Sequence, residues 1–149
     1  MKRLGFIANI TKPRAQDVVR RAARKAEVLG LSLCGDADTA ALAPGMPSAD
    51  ASGFAGVEAV LALGGDGTML RATRAIDGLD IPLIGVNIGS LGFLTSVAEA
   101  DLERALECLA HDAFTCSLRT VAECTVVRQG VERERYRALN DVVRSEEHT

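Results

Sequence analysis

Five consecutive residues, Gly64-Gly65-Asp66-Gly67-Thr68, combine side-chain types suited to a phosphorylated ligand. Glycines let backbone N–H groups approach a phosphate with no Cβ in the way, and a helix that starts there favours an anion through its dipole. Asp66 does not suit the phosphate itself, because like charges repel. It is better explained as a base for a hydroxyl, or as a partner for a phosphate-bound Mg²⁺. The plain alternative is a strand-to-helix turn in which Asp66 supplies local hydrogen bonds. Arg71, five residues further on, either reaches a ligand phosphate or is an ordinary exposed helical arginine. A second glycine-punctuated stretch, Asn87-Ile88-Gly89-Ser90-Leu91-Gly92-Phe93-Leu94-Thr95, contains one of the four Phe residues. Phe93 is a candidate to pack on a purine, and the competing reading is a core anchor.

The elements around these residues follow from apolar patterning. Residues 59–63 form an apolar run that stops at the glycines, which predicts a buried strand ending in the first loop. Met69, Leu70, Thr73 and Ile76 then predict a helix starting near Met69 and stopping near Gly78. A fourth strand is predicted over 81–86, with Pro82 tolerated at its start. The second glycine loop follows it and should open at the same sheet edge. Upstream, residues 3–8 read as the first strand. Pro13 suits a first helical turn. Ala15, Val18, Val19, Ala22, Ala26 and Leu29 share a helical face, and Gly30 is a natural stop. Arg14, Arg20, Arg21, Arg24 and Lys25 read as the solvated side of that helix. Residues 31–34 form a short second strand, and 35–56 a long connection with room for one helical turn.

Beyond the second loop, Ser96-Val97-Ala98-Glu99 has capping-box spacing, followed by a helix with Leu102, Ala105, Leu106 and Leu109 on one face. From Phe114 the pattern changes. Residues 115–128 and 131–143, separated by Gln129-Gly130, predict an antiparallel hairpin, with Glu132, Arg133, Glu134, Arg135 and Arg137 charging one side. The expected architecture is therefore α/β: a Rossmann-like, mainly parallel sheet with flanking helices over 1–113, followed over 114–149 by a hairpin that either packs on the α/β part or begins a β-rich second domain. In open sheets of this class ligands bind outside the carboxyl ends of the strands, where both glycine loops fall.

Composition limits the possible functions. The 149 residues are 48% hydrophobic but only 3% aromatic, so the core must be aliphatic. A net charge of −3 without a basic cluster disfavours nucleic-acid and membrane-surface binding. Cys34, Cys108, Cys116 and Cys124 form no C-x-x-C pair, and His111 and His148 lie in no ligand spacing. The cysteines read as buried, reduced and structural. The first residues carry too short an apolar stretch for a signal peptide, and no run reaches membrane-spanning length, so the expected location is the cytoplasm.

With the strand–Gly64-Gly65-Asp66-Gly67-Thr68–helix unit, the loop Asn87 to Leu94 and Leu139-Asn140-Asp141-Val142-Val143 in this order and spacing, the sequence resembles the NAD kinases from residue 1 to about 143. These enzymes phosphorylate the 2′-hydroxyl of NAD to give NADP. The resemblance implies that Asp66 is the general base that takes the ribose hydroxyl proton. Gly65, Gly67 and Thr68 would shape the pocket around the pyrophosphates, Arg71 would contact the cofactor, and Phe93 would lie against the adenine. Asn140 and Asp141, by residue type alone a turn or strand-end pair, match the family's pair on the ribose and nicotinamide side. ATP or polyphosphate would be the phosphoryl donor, with Mg²⁺ screening the phosphates, and a homo-oligomer is expected. Diacylglycerol, sphingosine and phosphofructokinase families carry relatives of the glycine turn. In lipid kinases an Asn-Glu pair usually follows directly, where Met69-Leu70 stand here. Family members are about twice this length, and the pattern breaks after Val143, so the chain looks truncated. An inactive nucleotide-binding fragment and a lipid kinase stay open as alternatives.

Overall fold

The computed structural model describes residues 1–49, 53–90, 92–139 and 142, and the chain divides into two compact units, Met1–Thr115 and Cys116–Thr149. The first unit is a five-stranded parallel sheet with helices on both faces. In chain order it contains β1 (Arg3–Ala8), α1 (Ala15–Val28), β2 (Ser32–Gly35), α2 (Ala37–Leu42), β3 (Ala59–Gly64), α3 (Asp66–Ala75), β4 (Leu83–Asn87), β5 (Val97–Ala98), a 3₁₀ turn (Glu99–Asp101) and α4 (Leu102–Ala110). The strand order is β2-β1-β3-β4-β5.

The period of two in the strands divides the core into two layers. Leu4, Phe6 and Ala8 of β1 and Ala59, Leu61 and Leu63 of β3 pack with Val18, Val19 and Ala22 of α1 and with Leu102, Leu106 and Leu109 of α4. The alternate residues Ile7, Val60 and Ala62 pack with Met69, Ala72 and Ile76 of α3 and with Phe54 and Val57. All six β3 residues are buried, which is why this strand reads as an unbroken apolar run rather than an alternation. Gly5 makes room for Phe54: a Cβ there would stand 2.5 Å from the ring.

Several boundaries differ from the sequence expectation. α1 starts at Ala15, after Pro13 rather than around it, because Lys12 to Arg14 form a turn in which the Lys12 carbonyl accepts from the Ala15 N–H at 2.9 Å. β4 begins at Leu83, although the Pro82 carbonyl still accepts from the Val60 N–H at 3.0 Å. No capping box forms at Ser96-Val97-Ala98-Glu99. Val97 and Ala98 instead pair in parallel with Val86 and Asn87, and α4 has no side-chain cap. Glu99 is taken up by Arg14, the N-cap residue of α1, at 2.6 Å and by Arg21 of α1 at 3.7 Å. The basic side of α1 is accordingly not simply solvated. Lys25 pairs with Glu107 of α4, and Arg20 donates to the Leu42 carbonyl at 2.9 Å. The long connection contains α2, whose N-cap Asp36 accepts from the Thr39 N–H at 3.0 Å.

The second unit contains β6 (Ala122–Arg128) and β7 (Val131–Ala138), an antiparallel pair with a bulge at Val126/Val127. Both strands are shorter than the sequence suggested. Gln129 and Gly130 have φ of 54° and 76°, the positive values at both central positions that the type I′ form of a two-residue hairpin turn requires. Glu123 on β6 meets Arg135 at 3.4 Å and Arg137 at 3.7 Å. Tyr136, Val127 and Val131 are exposed.

The cysteine reading holds in part. The four are free thiols, but only Cys34 is buried, while Cys108 and Cys124 are half-buried and Cys116 is exposed. No helix among the described residues is long and apolar enough to cross a membrane.

Candidate active site

The strand order reverses direction between β1 and β3. The chain leaves β1 toward α1 on one face of the sheet and leaves β3 toward α3 on the other, opening a crevice outside their carboxyl ends. Three segments meet at this edge: Asn9 to Lys12 after β1, the glycine turn after β3, and the second glycine loop after β4.

α3 begins at Asp66, three residues before the apolar pattern indicated, with Gly65 as its N-cap in an extended conformation. Asp66 therefore occupies the first helical position, where the helix dipole favours a carboxylate. Its oxygens accept from the Phe93 N–H at 3.0 Å and the Leu94 N–H at 2.9 Å. Asp66 thus joins the two glycine loops. These are long-range bonds, not the local turn bonds of the plain alternative. Two of the carboxylate's roughly four lone-pair positions are used, so it can still accept from a hydroxyl.

The glycines fall into two groups. A Cβ on Gly92 would run into the Asp66 carboxylate, and one on Gly64 would run into the Thr68 hydroxyl. These two glycines serve the close packing of the loops. A Cβ on Gly65 or Gly67 would meet nothing within 4 Å, and neither residue has a positive φ. The fold itself does not require glycine at 65 or 67, and both leave backbone open to a ligand. Thr68 is buried beneath them.

Arg71 points to the same edge but is already engaged. It donates to the Ala8 carbonyl at 2.6 Å and pairs with Asp36 at 3.4 Å, tying α3 to the end of β1. Phe93 is 98% exposed, so the core-anchor reading fails and the ring is free to meet a ligand. Asn140 and Asp141 lie outside the described residues.

The sequence reading passed over Asn9, Lys12 and Asn87. Asn9 closes the turn after β1: its side-chain oxygen accepts from the Thr11 N–H at 3.1 Å and the Thr11 hydroxyl at 2.8 Å. Asn87 is 6% exposed, its amide donates to the Gly89 carbonyl at 3.1 Å, and its buried Oδ1 accepts from no described residue. A signal for these residues was present, since Asn9 and Lys12 lie on the turn after β1 and Asn87 ends β4, at the same edge as the glycine turn. Among the described residues, no three His, Cys, Asp or Glu side chains gather into a metal site. A groove of about 660 Å³ lies elsewhere, lined by residues such as Arg20, Leu31, Leu33, Ala43 and Met46, and contains none of the glycine-loop residues.

A sequence profile of the ATP-NAD kinase N-terminal domain matches residues 46–114, which contain both glycine loops. The chain is 37% identical over 155 residues to the NAD kinase of Syntrophotalea carbinolica, across 96% of its own length. The chain belongs to the NAD kinase family. It is also 35% identical over 147 residues, again 96% of its length, to the NAD kinase of Heliobacterium modesticaldum. It spans 51% of each of these two relatives. The fold matches that of a yeast NADH kinase solved in complex with NADH, with a TM-score of 0.79, 16% identity and coverage of 94% of this chain and 47% of that one.

Proposed function

We propose that this chain carries the catalytic edge of an enzyme that phosphorylates the 2′-hydroxyl of the adenosine ribose of NAD, using ATP or polyphosphate, to give NADP. The observation that carries the proposal is Asp66, a carboxylate at the first turn of α3, fixed by two backbone N–H groups of the second glycine loop, with open glycine backbone on either side. A ribose hydroxyl is a weak nucleophile while protonated, and a fixed carboxylate can take its proton as the oxygen attacks phosphorus. The rest of phosphoryl transfer is positioning and charge neutralisation. Gly65, Gly67 and Thr68 would hold the pyrophosphate, Arg71 would contact the nucleotide, Phe93 would lie on the adenine, and Asn140 and Asp141 would take the ribose and nicotinamide side. One carboxylate at the crevice suits a Mg²⁺ that arrives with the phosphates rather than in a protein cage, and such an ion would screen their charge. A cytoplasmic location and a homo-oligomeric assembly belong to the same proposal.

The test is a chimera in which residues 1–149 replace the matching half of the Syntrophotalea carbinolica relative. Asp66→Asn should lower NADP formation by about 100-fold or more, within the range general-base catalysis supplies, while calorimetric NAD binding persists. Unchanged turnover would remove Asp66 from the mechanism. NAD and ATP binding without any NADP from the unsubstituted chimera would favour the nucleotide-binding alternative instead.

A further inference from the structure

We infer that Lys12 is the cation that receives the polyphosphate chain of the phosphoryl donor. The inference rests on the kinase reading and adds a residue to it. Phosphoryl transfer requires positive charge at the transferring group. Two neighbouring basic side chains are already committed: Arg71 of α3 to Ala8 and Asp36, and Arg14, beyond the turn after β1, to Glu99. Lys12, on the turn after β1, is half-buried, and among the described residues no carboxylate lies within ion-pair distance of it. Its Nζ stands 3.7 Å from where a Cβ of Gly89 would be, so the ammonium lies over the second glycine loop.

The second observation comes from the same loop. Gly89 has φ +116°, a conformation that L side chains rarely adopt, and the Asn87 amide holds its carbonyl. The Oδ1 of Asn87 is buried without a donor from any described residue. A buried acceptor left unpaired costs about 1–3 kcal/mol. A hydrogen-bond donor that arrives with the phosphates, such as a hydroxyl or a cation's hydration water, would satisfy it. The cation lies over Gly89, and the orphan acceptor is two residues before that glycine at the end of β4. Asp66 lies at the start of α3 on one face of the sheet, and Lys12 precedes α1 on the other. A base and a phosphate-binding cation so separated can serve two different substrates that meet at the crevice.

The test is calorimetry of the 149-residue chain with inorganic tripolyphosphate, with Mg-ATP and with NAD. It compares the unsubstituted chain with Lys12→Gln, Lys12→Arg and, as a charge control, Lys2→Gln at an exposed site away from this edge. Thermal melts confirm the fold of each variant. Lys12→Gln should weaken tripolyphosphate, ATP or both by about 10-fold or more, as expected for loss of a charged hydrogen bond. Lys12→Arg should retain most of the binding, and Lys2→Gln should change nothing. Loss on one ligand only identifies that ligand as the donor. Equal binding by Lys12→Gln, loss confined to NAD, or no tripolyphosphate or ATP binding by a folded unsubstituted chain would each overturn the inference. A Lys12-dependent polyphosphate site in a chain whose chimera makes no NADP would leave Lys12 standing and remove the kinase reading.

Discussion

Asp66 ties its own glycine turn to Phe93 and Leu94 of the second glycine loop, 27 and 28 residues further along the chain, and the glycines around it divide between packing and access. This division predicts different outcomes for two substitutions that look alike. Gly92→Ala places a methyl group against the Asp66 carboxylate, which is held by two N–H groups and cannot simply swing away. Overpacking of this kind costs about 1–3 kcal/mol, and urea denaturation should show a loss of that order. Gly65→Ala meets open space at an extended backbone position, so the urea midpoint should change little: alanine narrows the unfolded ensemble but is a poorer N-cap than glycine. Nucleotide binding by Gly65→Ala should nevertheless fall, because the methyl group blocks backbone that the ligand approaches. A Gly65→Ala chain that binds NAD and ATP normally would place the ligand elsewhere.

At the scale of elements, β1 outruns β2. The pairing of β1 with β2 ends at Phe6 opposite Gly35, and β1 continues to Ala8. The Ala8 N–H donates to the hydroxyl of Thr39, a fully buried residue of α2, at 2.8 Å. α2 thus closes the end of the strand that delivers Asn9 and Lys12 to the crevice. Thr39→Val keeps the shape and removes the acceptor, leaving a buried N–H unpaired at a cost of about 1–3 kcal/mol in urea denaturation. Thr39→Ser should recover most of the loss. Equal stability of the Val variant would mean that the hydroxyl is not what closes this end. The ion pairs between α1 and α4 are partly exposed and screened by solvent, so the apolar contacts of Val18, Val19, Leu102 and Leu106 hold these helices together.

For the first unit as a whole, acid sensitivity is set in part at the edge opposite the crevice. The Glu58 carboxylate accepts from the Lys2 and Arg3 N–H groups at 2.5 and 2.9 Å, and these bonds hold its pKa below the ordinary value. Its contribution to stability is complete above the unfolded glutamate value of about 4.3 and is lost as pH falls through the lower folded value. Glu107, lowered by its hydrogen bond with Lys25, acts in the same direction. Thermal melts should therefore fall on acidification below about pH 5, and Glu58→Gln should flatten part of that decline. An acid limb identical in Glu58→Gln would assign the effect to other carboxylates.

The parallel sheet, the helices on its faces and the glycine turn were legible in the sequence because each rests on short-range regularities. These are an apolar run of strand length, a helical period, and glycines next to a hydroxyl and a carboxylate. The family motifs followed from the same local patterns. What the sequence did not determine were relations across the sheet. Ser96 to Glu99 has the spacing of a cap, yet pairing with β4 and the cations Arg14 and Arg21 draw those residues away, since strand pairing satisfies backbone groups that a cap would have left to the side chain. Arg71 was visible as a cation near the turn, but only the folded chain commits it to Ala8 and Asp36. Phe93, ambiguous by type, is exposed because its loop is held from beneath by Asp66. Lys12 and Asn87 acquire meaning only once parallel pairing brings the ends of β1, β3 and β4 to one edge. Residue types and local spacing determined which chemistry was available, and the long-range hydrogen bonds of the tertiary structure decided which of those groups face the same crevice.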